Sequence, residues 1–480
     1  MPQTLRNPAL RNQALLNRQS LAHPADAGNR VYFCAGASPC AHFGVSPPSF
    51  ACFLPGRLML ERRYRVLALA THPVQYMSPI LRKMAGQPEL DLHVAYCSLR
   101  GAEAGYDPEF GATVHWDMPL LEGYLWSHLP NRGSGGESFF GVSNTGVWKL
   151  IREGEFDAVL CFTGYRCATF WMALLAAKLS KTAFLFGTDA VTLAPRDGRA
   201  WKVAPKRMFW PWLFRLADQV IVPSSGSRDL MYSLRLPPER VTLTPYSVDN
   251  DWWIEQSSKV DRQALRAGWG VSETDAVVLF CAKLQPWKRP FDVLRAFAEA
   301  DIAKAQLVFA GDGPLRAQLE SEAASLGIAD RVRFLGFMNQ TQLPAVYTAA
   351  DVMVLSSEYD AFAVVVNEAL CCGCPVIASD QVGAARDLVA PVAPEFVYPC
   401  GDLQALSKVL RSVLSDRSRL ASFAAAASKR IASWSPKQNI AATIEAIRIA
   451  VARIGRKGRQ VSTRHPASPS SPAGPQKLPE

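Results

Sequence analysis

From Tyr64 onward the chain alternates short apolar runs with segments of helical length. "YRVLALA" (64–70), "LDLHVAY" (90–96), "FDAVLCFT" (156–163), "TAFLFGTD" (182–189), "ADQVIVPSS" (217–225) and "RVTLTPYS" (240–247) form a first series. "AVVLFCAK" (276–283), "AQLVFAGDG" (305–313), "RVRFLGF" (331–337), "DVMVLSS" (351–357) and "CPVIASD" (374–380) form a second. Runs this short and this continuously apolar predict strands buried on both faces, and their alternation with helices predicts parallel sheets. The fold class is therefore α/β, with two doubly wound, Rossmann-like domains facing a cleft at the carboxyl ends of their strands. A poorly periodic stretch at 248–264 is the expected hinge. Near the end, Ile440, Ile444, Ile447 and Val451 recur at helical spacing within 433–454, which predicts one more amphipathic helix.

Outside these series the pattern fails. Residues 1–58 mix Arg, Asn, Pro, Ser and Ala without periodicity, so they are read as a disordered or spurious extension, with Met59 a plausible start. Residues 455–480 form a Pro/Ser-rich tail. The expected organisation is thus an amino-terminal domain over 59–250, a carboxyl-terminal domain over 265–432, and the 433–454 helix. The net charge of +10 adds little to that picture, because residues 1–65 carry a surplus of six and 455–480 a surplus of four. The body between them is balanced, and a nucleic-acid partner is excluded.

Eleven cysteines without a repeated CxxC pair point to reduced thiols and a cytosolic chain. Cys371, Cys372 and Cys374 have no nearby His and read as packing residues rather than metal ligands. No apolar run reaches a membrane-spanning length, since Lys178 and Lys181 interrupt the longest. The stretch 199–218, "RAWKVAPKRMFWPWLFRLAD", interleaves cations with aromatic residues, as interfacial helices do. Pro205 and Pro211 are expected to interrupt it, and packing beneath "ADQVIVPSS" is the competing use of its apolar residues.

Nucleotide motifs are mostly absent. No GxxxxGK[ST] occurs, and "GDGPLR" (311–316) fails GxGxxG at its last position. "DND" (249–251) has the form of a metal-binding DxD but falls in the expected hinge. More informative is "DAFAVVVNEALCCGCPV" (360–376), which sets Asp360 and Glu368 eight apart around an apolar run. Either acid could cap a helix or bind a ligand.

The ordered set "CAKLQPWKRPFDVLRAFAEA", "LVFAGDGPLRAQLE", "RVRFLGF" and "AADVMVLSSEYDAFAVVVNEALCCGCPVIAS" resembles the carboxyl-terminal domain of glycosyltransferase family 4, retaining enzymes of GT-B fold. "THPVQYMSP", "DPEFG" and "WDMPLLEGY" extend the likeness loosely into the first domain, towards a bacterial branch. The resemblance implies transfer of a sugar from a nucleotide-diphosphate sugar to a glycan, lipid-linked or small-molecule acceptor, without metal or bound cofactor. Glu368 would then hold the nucleotide ribose and Asp360 the donor sugar, with amides near Phe362 and Ala363 on the diphosphate. Lys283 and Lys288 would neutralise the departing diphosphate, and Phe337 would stand at the nucleobase.

In the first domain, His72 after the first strand and Asp189 after the "TAFLFGT" run are the residues that could orient the acceptor hydroxyl. For His72 a locally satisfied loop imidazole is the equal alternative. Asp360, Ala363 and Lys283 replace the family's usual Glu, Gly and Arg. Because Ala resists positive φ, the loop at Ala363 is expected to take a different path from the Gly-containing one. A degenerate sugar-nucleotide binder or scaffold is the reading from another class. The resemblance and the 199–218 stretch together imply a cytosolic protein, with peripheral contact at the inner face of a membrane.

Overall fold

The structure is a computed structural model and describes residues 63–107, 112–135, 138–194 and 198–455. The segments 1–58 and 456–480 lie outside the described residues, and so does Met59.

In chain order the first half places β1 (Tyr64–Ala70), β2 (Leu90–Tyr96), β3 (Gly105–Asp107), β4 (Ala112–Val114), β5 (Leu125–His128), β6 (Ala158–Cys161), β7 (Ala183–Gly187), β8 (Gln219–Val222) and β9 (Val241–Leu243). β3 and β4 pair as a separate hairpin, and the other strands make one parallel sheet in the order β5-β2-β1-β6-β7-β8-β9. Both faces are covered, which is why β1 reads as an unbroken apolar run. Val66 and Ala68 enter one core, while Leu67 and Leu69 enter the other with Phe170 and Phe186.

The second half adds β10 (Ala276–Cys281), β11 (Ala305–Ala310), β12 (Val332–Gly336), β13 (Val352–Leu355), β14 (Val376–Ser379) and β15 (Val397–Tyr398). Their order, β12-β11-β10-β13-β14-β15, reverses at the first strand of the half just as the first sheet does. The helix Pro436–Ile454 then returns to the first half, where Ile440, Ala446, Ile447, Ala450 and Val451 pack with Val66, Ala68 and Leu160.

The stretch 248–264, expected as the hinge, is not irregular in structure: it holds the helix Asn250–Ser258 and the start of Arg262–Gly268. Its pattern is weak because one large residue, the fully buried Trp253, anchors the first helix to the second core. Nor do the prolines break the 199–218 segment, which forms the helix Val203–Leu216. Pro205 sits in its first turn, where no N–H donor is required. Pro211 forfeits the bond to the carbonyl of Arg207, an exposed residue.

Candidate functional site

Where strand order reverses, the loops leaving neighbouring strands diverge and open a crevice. The first sheet reverses between β1 and β6, the second between β10 and β13. Between the two halves lies a cavity of about 470 Å³. Lys283, Lys288, Phe337, Asp360, Phe362, Ala363 and Glu368 line it from the second half, and Tyr76, Trp116, Asp189 and Tyr246 from the first. Of the residues expected to meet donor or acceptor, all but His72 are therefore brought to this cavity.

Glu368 sits in the helix Val365–Cys371 and is buried. No side chain caps that helix, so neither acid serves the capping role left open by the sequence. The Tyr347 hydroxyl donates to Glu368 Oε2 at 2.9 Å, and Gln340 also bonds the carboxyl. Burial nevertheless dominates and pushes the Glu368 pKa up to about 7, because the charged form loses more hydration than these donors return.

Asp360 has different surroundings. Its Oδ2 receives Lys288 Nζ at 2.5 Å, and its Oδ1 accepts the Phe362 amide at 3.3 Å. Lys288 is held in turn because the Ser356 hydroxyl donates to its carbonyl at 2.8 Å. An ammonium has three N–H donors, so Lys288 can keep Asp360 and still present protons to a second anion. The loop carrying Asp360 is pinned by Gly383, whose amide donates to the Asp360 carbonyl at 3.0 Å. A Cβ at Gly383 would lie 2.2 Å from the Ala361 carbonyl oxygen, so only glycine permits this approach.

Ala363 overturns a sequence expectation. Its φ is +74°, the left-handed conformation that the loop was expected to avoid. The amide of Ala384 donates to the Phe362 carbonyl at 2.7 Å, and the loop is fixed by two such bonds just before the strained residue. Tertiary bonds therefore override the Cβ penalty. Lys283 owes its position to another close approach. Gly311, at φ +136°, lies against Ala282, and a Cβ there would meet the Ala282 carbonyl oxygen at 2.1 Å.

On the facing side, Trp116 stands 5.9 Å from Phe337, ring centre to ring centre. The segment carrying it is tied across the cleft where Asn339 Nδ2 donates to the His115 carbonyl at 2.6 Å. Tyr76 follows β1 and Tyr246 follows β9; their rings meet edge to face at 5.9 Å and their hydroxyls are hydrogen-bonded. Burial raises both phenol pKa values.

Tyr76, Asp189 and Tyr246 also line a second cavity of about 650 Å³ against the first sheet. His72 lines this second cavity alone. It keeps an exposed face, yet the protein around its ring, and secondarily Arg100, lower its pKa. The structure thus separates His72 from Asp189 in place: the first lines one of these cavities and the second lines both. Asp249 and Asp251 reach neither cavity. Asp249 caps the helix Asn250–Ser258, and Lys83 Nζ lies 2.9 and 3.2 Å from the two carboxylates.

Tyr76, Trp116, Tyr246, Gln340 and Tyr347 were missed as individual residues. Tyr76 and Trp116 fall inside "THPVQYMSP" and "WDMPLLEGY", where a signal existed. Tyr246, Gln340 and Tyr347 reach the site only through tertiary packing.

Comparison with known proteins bears on both halves. Residues 59–247 match the glycosyl transferase 4-like domain, and residues 261–430 match glycosyl transferases group 1. A D-inositol 3-phosphate glycosyltransferase of Geodermatophilus obscurus is 35% identical over 220 residues, 42% of this chain and 48% of that one. An uncharacterized glycosyltransferase of Methanocaldococcus jannaschii is 32% identical over 183 residues, 38% of this chain and 47% of that one. The chain spans about half the length of these curated relatives. Among solved structures, Anabaena HepE in complex with UDP and glucose superposes with a TM-score of 0.61 over 80% of this chain and 99% of that one, at 20% identity. The fold is GT-B, and each half of the sequence matches a glycosyltransferase domain family.

Proposed function

We propose that this protein is a nucleotide-sugar-dependent glycosyltransferase that transfers its sugar with retention and without metal. The observation that carries the reading is the convergence on one cavity of Lys283, Lys288, Asp360 and Glu368 from one half with Tyr76 and Asp189 from the other. A carboxylate accepts from vicinal hydroxyls and suits a ribose, which is the role of Glu368. Lys288 and Lys283 face the diphosphate, and Asp360, held by Lys288, meets the donor sugar. Phe337 and Trp116 flank the nucleobase.

In this reading the bond from the anomeric carbon to the diphosphate oxygen breaks while the acceptor oxygen bonds the same carbon from the same face. The acceptor proton passes to a diphosphate oxygen, so no protein base is required. The two lysines stabilise the charge that develops on the leaving group. Asp189, shared by the two cavities, orients the acceptor hydroxyl. That acceptor is a glycan, a lipid-linked sugar or a small molecule held in the cavity against the first sheet. The cysteines among the described residues are all free thiols, which supports a reducing, cytosolic setting.

The test is a thermal-shift screen over nucleotide sugars, since a ligand that binds only the folded state raises its apparent stability. One donor should raise the melting temperature, and slow hydrolysis of that donor should persist in EDTA. Stabilisation without hydrolysis or transfer would assign the chain to the non-catalytic binders. Loss of activity in EDTA with rescue by magnesium would end the metal-free reading.

A further inference from the structure

We propose that the first half docks on an anionic lipid bilayer through the outer faces of the helices Ala168–Leu179 and Val203–Leu216 and the adjoining loop at Phe139–Phe140. Three observations place this surface. The first is exposed apolar area where a water-facing surface has no use for it. Met208 is 81% exposed, Phe140 71% and Trp201 68%, and Trp212, Leu175 and Leu179 are more than half exposed. Contacts join the elements that carry them. Trp171 stacks on Trp212 at 6.2 Å, and the Ala168 amide donates to the Phe139 carbonyl at 2.9 Å, which ties the loop to the helix. Trp171, Leu175 and Leu179 recur every fourth residue and so share one helix face.

The second observation is charge. Residues 164–181 and 198–217 contain Arg166, Lys178, Lys181, Arg199, Lys202, Lys206, Arg207 and Arg215 and no Asp or Glu. Asp218 pairs with Lys178 and offsets one of these cations. The body of the chain balances only as a whole, with the rest of it net acidic, so this cationic excess is local. Lys202 lies over the Trp201 ring at 5.8 Å, with charge and indole side by side, as amphipathic groups sit at a headgroup layer. Cations interleaved with exposed indoles match anionic headgroups above acyl chains.

The third is continuity with the site. Tyr165 and Arg166 line a surface depression within the patch, together with Trp171 and Phe209. The same two residues line the cavity against the first sheet. Docking would therefore set that cavity beside the bilayer. An acceptor that projects from the membrane, a polar head on an apolar anchor, would enter without leaving it. This last step rests on the transferase reading; the docking itself does not.

The test is co-sedimentation of the full chain, without donor, with vesicles of phosphatidylglycerol and phosphatidylcholine and with phosphatidylcholine alone. Binding should favour the anionic vesicles at least about tenfold and weaken as salt rises, since each cation at the surface contributes about fivefold. The double variant Trp201→Glu, Met208→Glu should reduce binding about tenfold or more, with melting temperature and donor hydrolysis unchanged. The single variant Arg207→Glu should produce a smaller loss in the same direction. Absent binding to anionic vesicles, or equal binding by the double variant, would overturn the proposal. Self-association of the wild type in sedimentation velocity, removed by Met208→Glu, would assign the face to a second copy and overturn it as well. Because donor hydrolysis is measured separately, failure of docking and failure of the transferase reading are distinct results.

Discussion

At the reversal point of the second sheet, the polar groups hold one another: Lys288 is fixed by Asp360 and Ser356, and Glu368 by Tyr347 and Gln340. At the reversal point of the first sheet the cavity is larger, and Met77, Ile80, Leu81, Phe162 and Phe214 share its walls with His72, Arg166, Asp189, Asn439 and several hydroxyl groups. The second half is thus pre-organised for a ligand of fixed charge and shape. The first half mixes apolar walls with hydroxyl, amide and imidazole groups. Fixed charge is costly to place and tolerates little change, whereas apolar walls can be reshaped with losses of a few kcal/mol at most.

The comparison breaks most completely if the returning helix is removed. A chain truncated before Ser433 loses Ile440, Ile447 and Val451 from the first core, and also Asn439 and Thr443 from the cavity wall. Each large aliphatic residue contributes about 1.5–3 kcal/mol, so the loss is on the scale of the whole stability of a domain. The truncated chain should lose the cooperative melting of the first half in calorimetry. A two-domain melt indistinguishable from wild type would show that the helix is an accessory.

The next largest effect concerns charge in the second half. Lys288→Ala should reduce turnover by about 10²–10³-fold, because leaving-group charge loses a fixed partner. Binding of the bare nucleoside, followed by calorimetric titration, should stay within twofold. Equal losses for nucleoside and nucleotide sugar would show that Lys288 only supports the fold through Asp360.

Glu368 offers a sharper test because its two roles pull apart with pH. Its folded pKa, about 7, is above the ordinary 4.5, so the folded state holds a proton that the unfolded state has released between those values. Stability therefore falls as pH rises from about 4.5 to 7 by a few kcal/mol and stays low above it. Glu368→Gln should melt higher than wild type at pH 8 and match it near pH 5. The same variant should lose about 10–100-fold in donor affinity, since charge-assisted bonds to the ribose contribute about 1.5–3 kcal/mol. Wild-type donor affinity should improve as pH rises through 7, because hydroxyls bind the ionised carboxylate. A wild-type melting curve that does not depend on pH would remove the strain, and an unchanged affinity in the variant would remove the ribose contact.

The smallest effect is at Ala363. The left-handed backbone costs a non-glycine residue about 1–2 kcal/mol, while glycine adds about 0.5–1 kcal/mol of unfolded-state entropy. Ala363→Gly should therefore stabilise the chain by up to about 1 kcal/mol in denaturant titration, with turnover changed less than threefold. Destabilisation would mean that the methyl group packs productively in the cavity wall.

Much of the fold was legible because buried parallel strands leave apolar runs. β1, β2, β10 and β11 begin at the residues where their runs begin. β5 was missed because it is an edge strand with Leu125 turned outward, and β15 because it has two residues. The carboxylates and lysines of the second half were picked out through the family resemblance, and they come together in one cavity. Tyr246 and Tyr347 were not, since a tyrosine at the end of a strand or within a helix carries no mark of the distant group it will touch. The path at Ala363 was misread for a related reason: local propensity pointed one way, and the bonds to Gly383 and Ala384 pointed the other.

The return of the helix Pro436–Ile454 also sets a timetable for synthesis. The first sheet is complete in sequence at Leu243, but one of its faces is closed by residues made about 200 positions later. At about 5–20 residues per second, a ribosome needs roughly 10–40 s to supply them. Throughout that interval the second half can fold around its own core, while the nascent first sheet waits with the face of Val66, Ala68 and Ile221 only partly covered. The half that emerges first is thereby the last to be finished, and during that window a chaperone has something apolar to hold.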